Sequence, residues 1–550
     1  MDTTKKVKSL PAARACLYGV GLDKAQMDRP LVAIVYSHNE ICPGHYHLDR
    51  LAESVRRGIE AESGTGIRMN AGVGVCDGIA MGHEGMKYSL PGRELNRDAV
   101  VDMVRAHGVF DGVVYIGACD KNIPGYLMAA AAMRDLPGIF VTAGPMMPGC
   151  VEGKAADVVT SFAADAQLPL GVINRQQYDQ IMEQSCPGSG SCAGLFTANS
   201  MACVTEALGL TLPGMATAHA VDNKKLRMAT ESGRQVMRMI REGRTIGDIL
   251  TEDAFYNAFV VDMAIGASTN TVLHVPAIAK EAGYEFDLGR INEISGATPN
   301  ILRLSPAGEH RMIDFDRAGG IPMVMKRLEE LLILERSDVE YVRTVDGFLP
   351  DRLCQLPDRG DTSVIKSVEN PYSRTGGIAV YRGNLAPNGA VIKESGVSAD
   401  VPRVFRGRAK VFDDEIECSD AIKAGKVSKG TVIVIRYEGP AGGPGMREML
   451  YPTSAIKGLK MDKDVALITD GRFSGGTAGI CIGHIEPEAY NGGDIAFLRD
   501  GDEITIDMDK KEINHSLDVK DINARRATMP RVEKPTRDHI LKNYRKNFAK

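Results

Sequence analysis

Short apolar runs alternate with helix-period segments over the first two thirds of the chain, and no other feature restricts the fold as strongly. Leu31-Val32-Ala33-Ile34-Val35 has the length of a buried strand, and Leu48 to Ala61 places apolar side chains about one helical turn apart. The pairing recurs at Val113-Val114-Tyr115-Ile116 followed by Leu127 to Met133, and Gly138 to Thr142 adds a further strand. Such alternation predicts a parallel sheet covered on both faces by helices. Helical periodicity also marks Phe196 to Leu208, Asn223 to Ile240, Ala254 to Ala264 and Ile321 to Leu334. The expected fold class is therefore α/β, with an N-terminal domain over residues 1–345 whose mostly parallel sheet is flanked by helices.

From about Thr344 to Pro371 the pattern breaks, punctuated by Pro350, Pro357, Gly360 and Pro371, which predicts a linker over residues 346–375. Beyond it, Gly377 to Tyr381, Ala409 to Phe412, Thr431 to Ile435, Val465 to Ile468 and Glu503 to Ile506 are short β-branched runs between Gly-rich turns. They predict a smaller, mostly β, barrel-like C-terminal domain over residues 376–550. A chain of 550 residues also exceeds what one hydrophobic core usually holds. The cleft between the two domains is the expected place for an active site.

The net charge of −5 comes with no long basic stripe, so neither nucleic acid nor an acidic membrane surface is an expected partner. The start of the chain has no apolar stretch after Lys5-Lys6, and no apolar run reaches membrane-spanning length, so a cytoplasmic protein is expected. Eleven cysteines are too sparse for a disulfide scaffold and odd in number, which favours reduced thiols. Cys42, Cys76, Cys119, Cys186 and Cys192 stand out because they lie beside Gly, Pro or Asp in loop-like sequence, where ligands belong.

Five segments carry chemistry. Gly117 to Gly125 sets Cys119, Asp120 and Lys121 side by side after a strand, where open α/β sheets bind ligands. A thiolate suits iron or zinc and a carboxylate suits magnesium or calcium, so this run has the means to touch two metal centres. Val75 to Met86 places Asp77 at an apparent strand end before glycine. Ser185 to Gly194 delivers Cys192 into a helix N-terminus, where the dipole favours a thiolate. Tyr437 to Met449 is a Gly/Pro loop ending in the acidic Glu448. Thr469 to Thr477 holds Ser474 on a tight turn after a strand, without the spacing of a nucleophile elbow. No Walker A run and no strand-linked GxGxxG is present. Two or more thiolates and three carboxylates at strand ends or Gly-rich turns argue for a soft iron–sulfur site beside a hard magnesium site.

Cys119-Asp120-Lys121, Cys76-Asp77-Gly78-Ile79-Ala80-Met81-Gly82, Gly190-Ser191-Cys192, Gly442 to Glu448 and Asp470 to Gly475 together resemble the signatures of the dihydroxy-acid and phosphogluconate dehydratase family, in the same order over nearly the whole chain. Gly266 to Thr271, Arg317 to Pro322 and Arg382 to Ala390 extend the resemblance. Gly82 to Met86 and Ser200 to Gly214 are more similar to the members acting on branched-chain dihydroxy acids than to those acting on phosphogluconate.

The resemblance implies a hydro-lyase that converts 2,3-dihydroxy-3-methyl carboxylic acids to 2-keto acids in valine and isoleucine biosynthesis. It implies magnesium held by Asp77, Asp120, Glu448 and a carbamylated Lys121, and an iron–sulfur cluster, [4Fe-4S] or [2Fe-2S], on Cys119 and Cys192. Ser474 would be the base, which requires a metal to stabilise its alkoxide. A homodimer is implied by the same resemblance. One departure matters: two-iron members carry a ligand cysteine directly after a proline, whereas here Pro43 is followed by Gly44 and His45. The third cluster ligand stays open among Cys76, Cys186 and Cys42. The departure resembles the subgroup with an oxygen-labile four-iron cluster. Cys76 adjoins Asp77, and on a strand the two side chains would point oppositely. A sugar-acid dehydratase with the same metals and a non-catalytic iron–sulfur carrier are the competing functions; a carrier has no use for Asp77, Asp120, Glu448 and Ser474 together.

Overall fold

A computed structural model of the chain describes residues 7–335, 340–356, 363–536 and 538–550. Strands β1 (Leu31–Tyr36), β2 (Thr65–Asn70), β3 (Gly112–Gly117) and β4 (Gly138–Thr142) form a parallel sheet in the order β2-β1-β3-β4. β1, β3 and β4 are apolar throughout and almost wholly buried, as strands covered on both faces must be. Helix α1 (Leu48–Ala61) covers one side and packs along the long helix α4 (Asn223–Glu242), while α2 (Asn122–Ala132) leaves the end of β3 and α3 (Thr197–Ala207) packs near it.

The second sheet contains β5 (Ala379–Tyr381), β6 (Gly389–Ile392), β7 (Val404–Phe412), β8 (Thr431–Ile435), β10 (Ala466–Thr469), β12 (Cys481–Glu486), β13 (Glu503–Asp507) and β14 (Glu512–His515). Their order is β14-β13-β7-β8-β10-β12-β6-β5, parallel through β7-β8-β10-β12 and antiparallel outside it. Its two edges meet: Arg382 donates its N–H to Lys511 O at 3.0 Å, and Ile513 donates to Arg382 O at 2.8 Å. That closure shields edge strands that would otherwise be open to pairing and makes the sheet near-barrel in form. Alternation within β8 shows the layering, because Val432 and Val434 join the interior cluster while Ile433 and Ile435 pack beneath the outer helices α5 (Glu415–Lys423) and α6 (Tyr451–Gly458).

The mixed architecture agrees with the α/β-plus-barrel expectation, with three local differences. Asp77 does not end a strand; it opens a one-turn helix, Asp77–Ala80, with Cys76 at the cap, so alternating strand geometry does not separate the two side chains. The helix expected over Ile321 to Leu334 stops at Arg327 and is followed by a short 3₁₀ turn, Glu329–Leu331, although apolar residues keep helical spacing through Leu328, Leu331 and Leu332. Within the stretch read as a linker, Arg343–Thr344 pairs with Gly347–Phe348 and Leu349–Cys354 is helical, while Pro357 and Gly360 lie outside the described residues. Among the described residues, no helix is long and apolar enough to cross a membrane.

Candidate active site

Two groups of ligand-type side chains share one cavity of about 320 Å³, whose lining includes Cys42, Cys76, Cys119, Cys186, Cys192, Asp77, Asp120 and Ser474. The elements that deliver them explain the convergence. β3 ends at Gly117, and the turn to α2 presents Cys119 and Asp120 with Lys121 at the helix cap. The Cys192 loop is clamped by Asn199, whose amide donates to Cys192 O and Gly194 O at 2.5 and 2.7 Å. A two-strand parallel ribbon, β9 (Glu448–Met449) with β11 (Arg472–Phe473), sets Glu448 opposite Arg472 and leads directly into Ser474. Ser474 is held by its N–H on Met449 O at 2.9 Å, and its hydroxyl accepts from Gly476 N–H at 3.3 Å.

Asp77, Asp120 and Glu448 offer carboxylate oxygens all within 4.8 Å of one another. Lys121, buried beneath the cavity, donates to Asp77 Oδ2 and Glu448 Oε2 at 2.7 Å each, and stands 3.7 Å from Asp120 Oδ2. Ser89 donates to the other oxygen of Asp77 at 2.5 Å. Arg472, fully buried, donates to Glu448 Oε2 at 3.0 Å. Burial and the adjacent carboxylates push Asp120 up to about 7 despite Lys121. Burial acts on Glu448 in the same direction, but Lys121 and Arg472 outweigh it and hold that carboxyl below its ordinary range. Lys121 moves up, because the three carboxylates overcome its own burial. Glu448 Oε1 is buried with no hydrogen-bond partner. Three carboxylates against two fixed cations, with one oxygen left bare, form a hard donor set that fits a divalent cation.

The soft group lies across the cavity. The Cys42 and Cys119 sulfurs are 3.5 Å apart, and the Cys42 turn is fastened to the Cys192 loop by Gly190 N–H on Pro43 O at 3.0 Å. A Cβ on Gly44 would stand 2.6 Å from Cys119 Sγ, so the residue after Pro43 faces that sulfur and only glycine fits beside the present pair. The hydrogen bond with Cys119, reinforced by burial, raises the Cys42 thiol, and the hydrogen bond with Cys42 raises Cys76. Cys119 gains a hydrogen bond from Cys42 that favours its thiolate, yet burial and Cys76 hold its thiol at about 11. Burial raises Cys192, whereas Cys186 is solvent-exposed. Crowded, protonated thiols become thiolates once a soft cation binds them, so this donor set fits an iron–sulfur group.

Sequence reasoning missed four residues here. His45 puts a ring nitrogen within 4.8 Å of the ligand atoms of Cys42 and Cys119; burial lowers it to about 4, so it is a neutral imidazole. Arg472, Asn270 and Thr197 surround the carboxylates, and only membership of motifs with no assigned role marked the first two. Asp470, in the same motif as Ser474, accepts backbone N–H groups from Tyr437, Glu438 and Ala489 and so pins loops together.

Thiols and carboxylates lining one cavity, with a serine in the same lining, are a frame for metal-assisted elimination of water. The chain belongs to the dihydroxy-acid/6-phosphogluconate dehydratase family, whose N-terminal model matches residues 29–346 and whose C-terminal model matches residues 363–550, and it is a hydro-lyase. It is 48% identical over 545 residues to a dihydroxy-acid dehydratase of Methanococcoides burtonii, covering 99% of this chain and 97% of that one. Proteins of the same name from Caldanaerobacter subterraneus and Pyrococcus abyssi are each 47% identical, over 99% and 100% of this chain and 96% and 97% of theirs.

Proposed function

We propose that the enzyme removes water from 2,3-dihydroxy-3-methylbutanoate and 2,3-dihydroxy-3-methylpentanoate, giving the 2-keto acids of valine and isoleucine biosynthesis. The observation that carries this choice is the lining of the cavity: Ile41, Ile79, Met81, Val158, Phe196 and Leu450 give it an apolar surface, and no Lys, Arg or His is among the lining residues. Alkyl groups at C3 suit such a wall. A phosphate would need cations, and a polyhydroxy chain would need donors and acceptors in their place. The sugar-acid alternative is therefore not favoured.

Asp77, Asp120, Glu448 and Lys121 would hold magnesium, Lys121 as a carbamate formed when its ammonium loses a proton and the free amine adds to carbon dioxide with release of a second proton, which converts a cation into an anionic oxygen donor. Cys119 and Cys192 hold the iron–sulfur cluster, and Cys42 supplies the third thiolate, supported by its 3.5 Å approach to Cys119. Bound there, the two centres supply Lewis acidity, one for the charge that develops on the carboxylate and C2 oxygen, the other for the departing C3 hydroxyl. Ser474, as its alkoxide at the end of β11, would take the C2 proton, the C3–O bond would break with the hydroxide leaving, that hydroxide would take the proton back from Ser474 and depart as water, and the enol would tautomerise to the 2-keto acid. Two domains, residues 1–345 and 376–550, enclose the site, and the enzyme works as a cytoplasmic homodimer; eleven free thiols are consistent with a reducing compartment.

The test is anaerobic purification followed by assay of 2-keto acid formation from 2,3-dihydroxy-3-methylbutanoate, with gluconate and 6-phosphogluconate alongside. Turnover of the branched substrate in preference to both is the expected result. A cluster-replete enzyme that ignores the branched acid would sink the proposal.

A further inference from the structure

The segment Gly266 to Thr271 has no part in the chemistry above, yet it runs beneath the carboxylates. Asn270, fully buried, is the cap residue of the helix Thr271–Glu281. Its Nδ2 donates to Thr197 Oγ1 at 2.9 Å, and its Oδ1 accepts from Arg472 Nη1 at 3.0 Å. Arg472 Nη1 also donates to Glu448 Oε2. At the other end, Thr197 lies beside Asp120 and favours its charged carboxylate. Asn270 likewise favours the charged form of Glu448. Hydrogen bonds thus run in a row through Thr197, Asn270, Arg472 and Glu448, and with Asp120 beside Thr197 the row spans two proposed magnesium ligands that are 328 positions apart in sequence.

The polarity of that chain is determined at its middle. Arginine only donates, so the Asn270 oxygen must face Arg472 and its NH₂ must face Thr197. Thr197 then accepts from Asn270 and shares a hydrogen bond of 2.9 Å with the Ser268 hydroxyl; with Ser268 as donor in that pair, the single Thr197 proton is free to face Asp120. Only a side chain that accepts at one end and donates at the other completes the chain, and an amide of this length does both.

We propose that Asn270 is a positioning residue that sets the separation of Asp120 and Glu448, and through it the affinity of the hard-metal site. The inference rests on the magnesium assignment made above. Its test is Mn²⁺ binding by whole, anaerobically purified enzyme, followed by electron paramagnetic resonance, with iron content and thermal midpoint measured in the same samples. Asn270→Ala and Thr197→Val should each weaken Mn²⁺ binding by about tenfold or more, the usual effect of removing a residue that orients a ligand. Their double variant should lose little beyond either single one, because both cut the same chain. Thr197→Ser, which keeps the hydroxyl, should stay close to the parent, and iron content should be unchanged throughout. Unaltered Mn²⁺ affinity in folded Asn270→Ala, or iron and Mn²⁺ lost together in the variants, would overturn the positioning role. Should Asn270→Ala not fold, Thr197→Val against Thr197→Ser decides the matter. Asp77→Asn separates the two levels: if it also leaves Mn²⁺ binding unchanged, the magnesium assignment fails and this inference with it, whereas a loss confined to Asp77→Asn removes only the role of Asn270.

Discussion

Ser474 and Lys225 show how differently two buried polar residues act. Ser474 reaches the cavity from a strand end, so Ser474→Ala should fold, retain its iron and lose turnover by about 10²–10⁴-fold, checked by iron analysis and keto-acid assay. Full activity would put the base elsewhere. Lys225 lies in the α/β core, where burial depresses it to about 7 and its Nζ donates to Met215 O and Thr142 Oγ1 at 2.5 and 3.2 Å. A lysine whose folded-state value lies below the unfolded one destabilises the fold while charged. That penalty is complete below pH 7 and is relieved as pH rises from about 7 towards 10.5. Lys225→Met should therefore narrow the rise in urea midpoint between pH 7 and pH 10 relative to the parent, a difference on the order of 1–3 kcal/mol. Parallel profiles in parent and variant would refute it.

Among the elements, α1 and α4 cross more closely than side chains permit. A Cβ on Gly58 would lie 1.9 Å from Thr230 O, and one on Gly233 would lie 2.2 Å from Val55 O. Glycine in mid-helix is costly by propensity, and here it is what allows backbone to meet backbone. Gly58→Ala should force the helices apart and destabilise the enzyme by about 1–3 kcal/mol, visible as a lower thermal midpoint; an unchanged midpoint would mean that the crossing is slack. The periodic elements were legible in the sequence: β4 and α1 have the bounds that their patterns predict, since β4 is a short run buried along its whole length and α1 buries one repeating face. The turn at Cys76-Asp77 was not legible. A cysteine, an aspartate and a glycine are compatible with a strand end or a helix cap, and packing around Ser89 and Lys121 decides between them.

At the scale of the molecule, the proposed magnesium site draws Asp77, Asp120 and Lys121 from the N-terminal half and Glu448 from the C-terminal half, and buried Arg447 pairs across the same boundary with Glu84. A cation bound by both halves should stabilise their association. Magnesium at about 100 times its dissociation constant is worth roughly 2.7 kcal/mol by mass action. The thermal midpoint should accordingly rise with magnesium and fall on chelation, while Glu448→Gln removes that dependence without stripping iron. A midpoint indifferent to magnesium would show that the ion does not bridge the halves.

The sequence by itself determined the layer architecture, because periods of two and 3.6 residues dictate which faces must be buried, and it determined the family, because five chemistry-bearing motifs recur in order. It also named the thiols and carboxylates, since their residue types restrict them to soft or hard partners. Only the tertiary structure decided which thiol stands beside Cys119, that His45 joins them, and that Thr197, Asn270 and Arg472 form a hydrogen-bonded row ending on Glu448. The reason is distance: periodicity reports contacts within an element, whereas these contacts close loops of about 70 to 200 residues, and their partners are chosen by the packing of whole elements rather than by any local pattern.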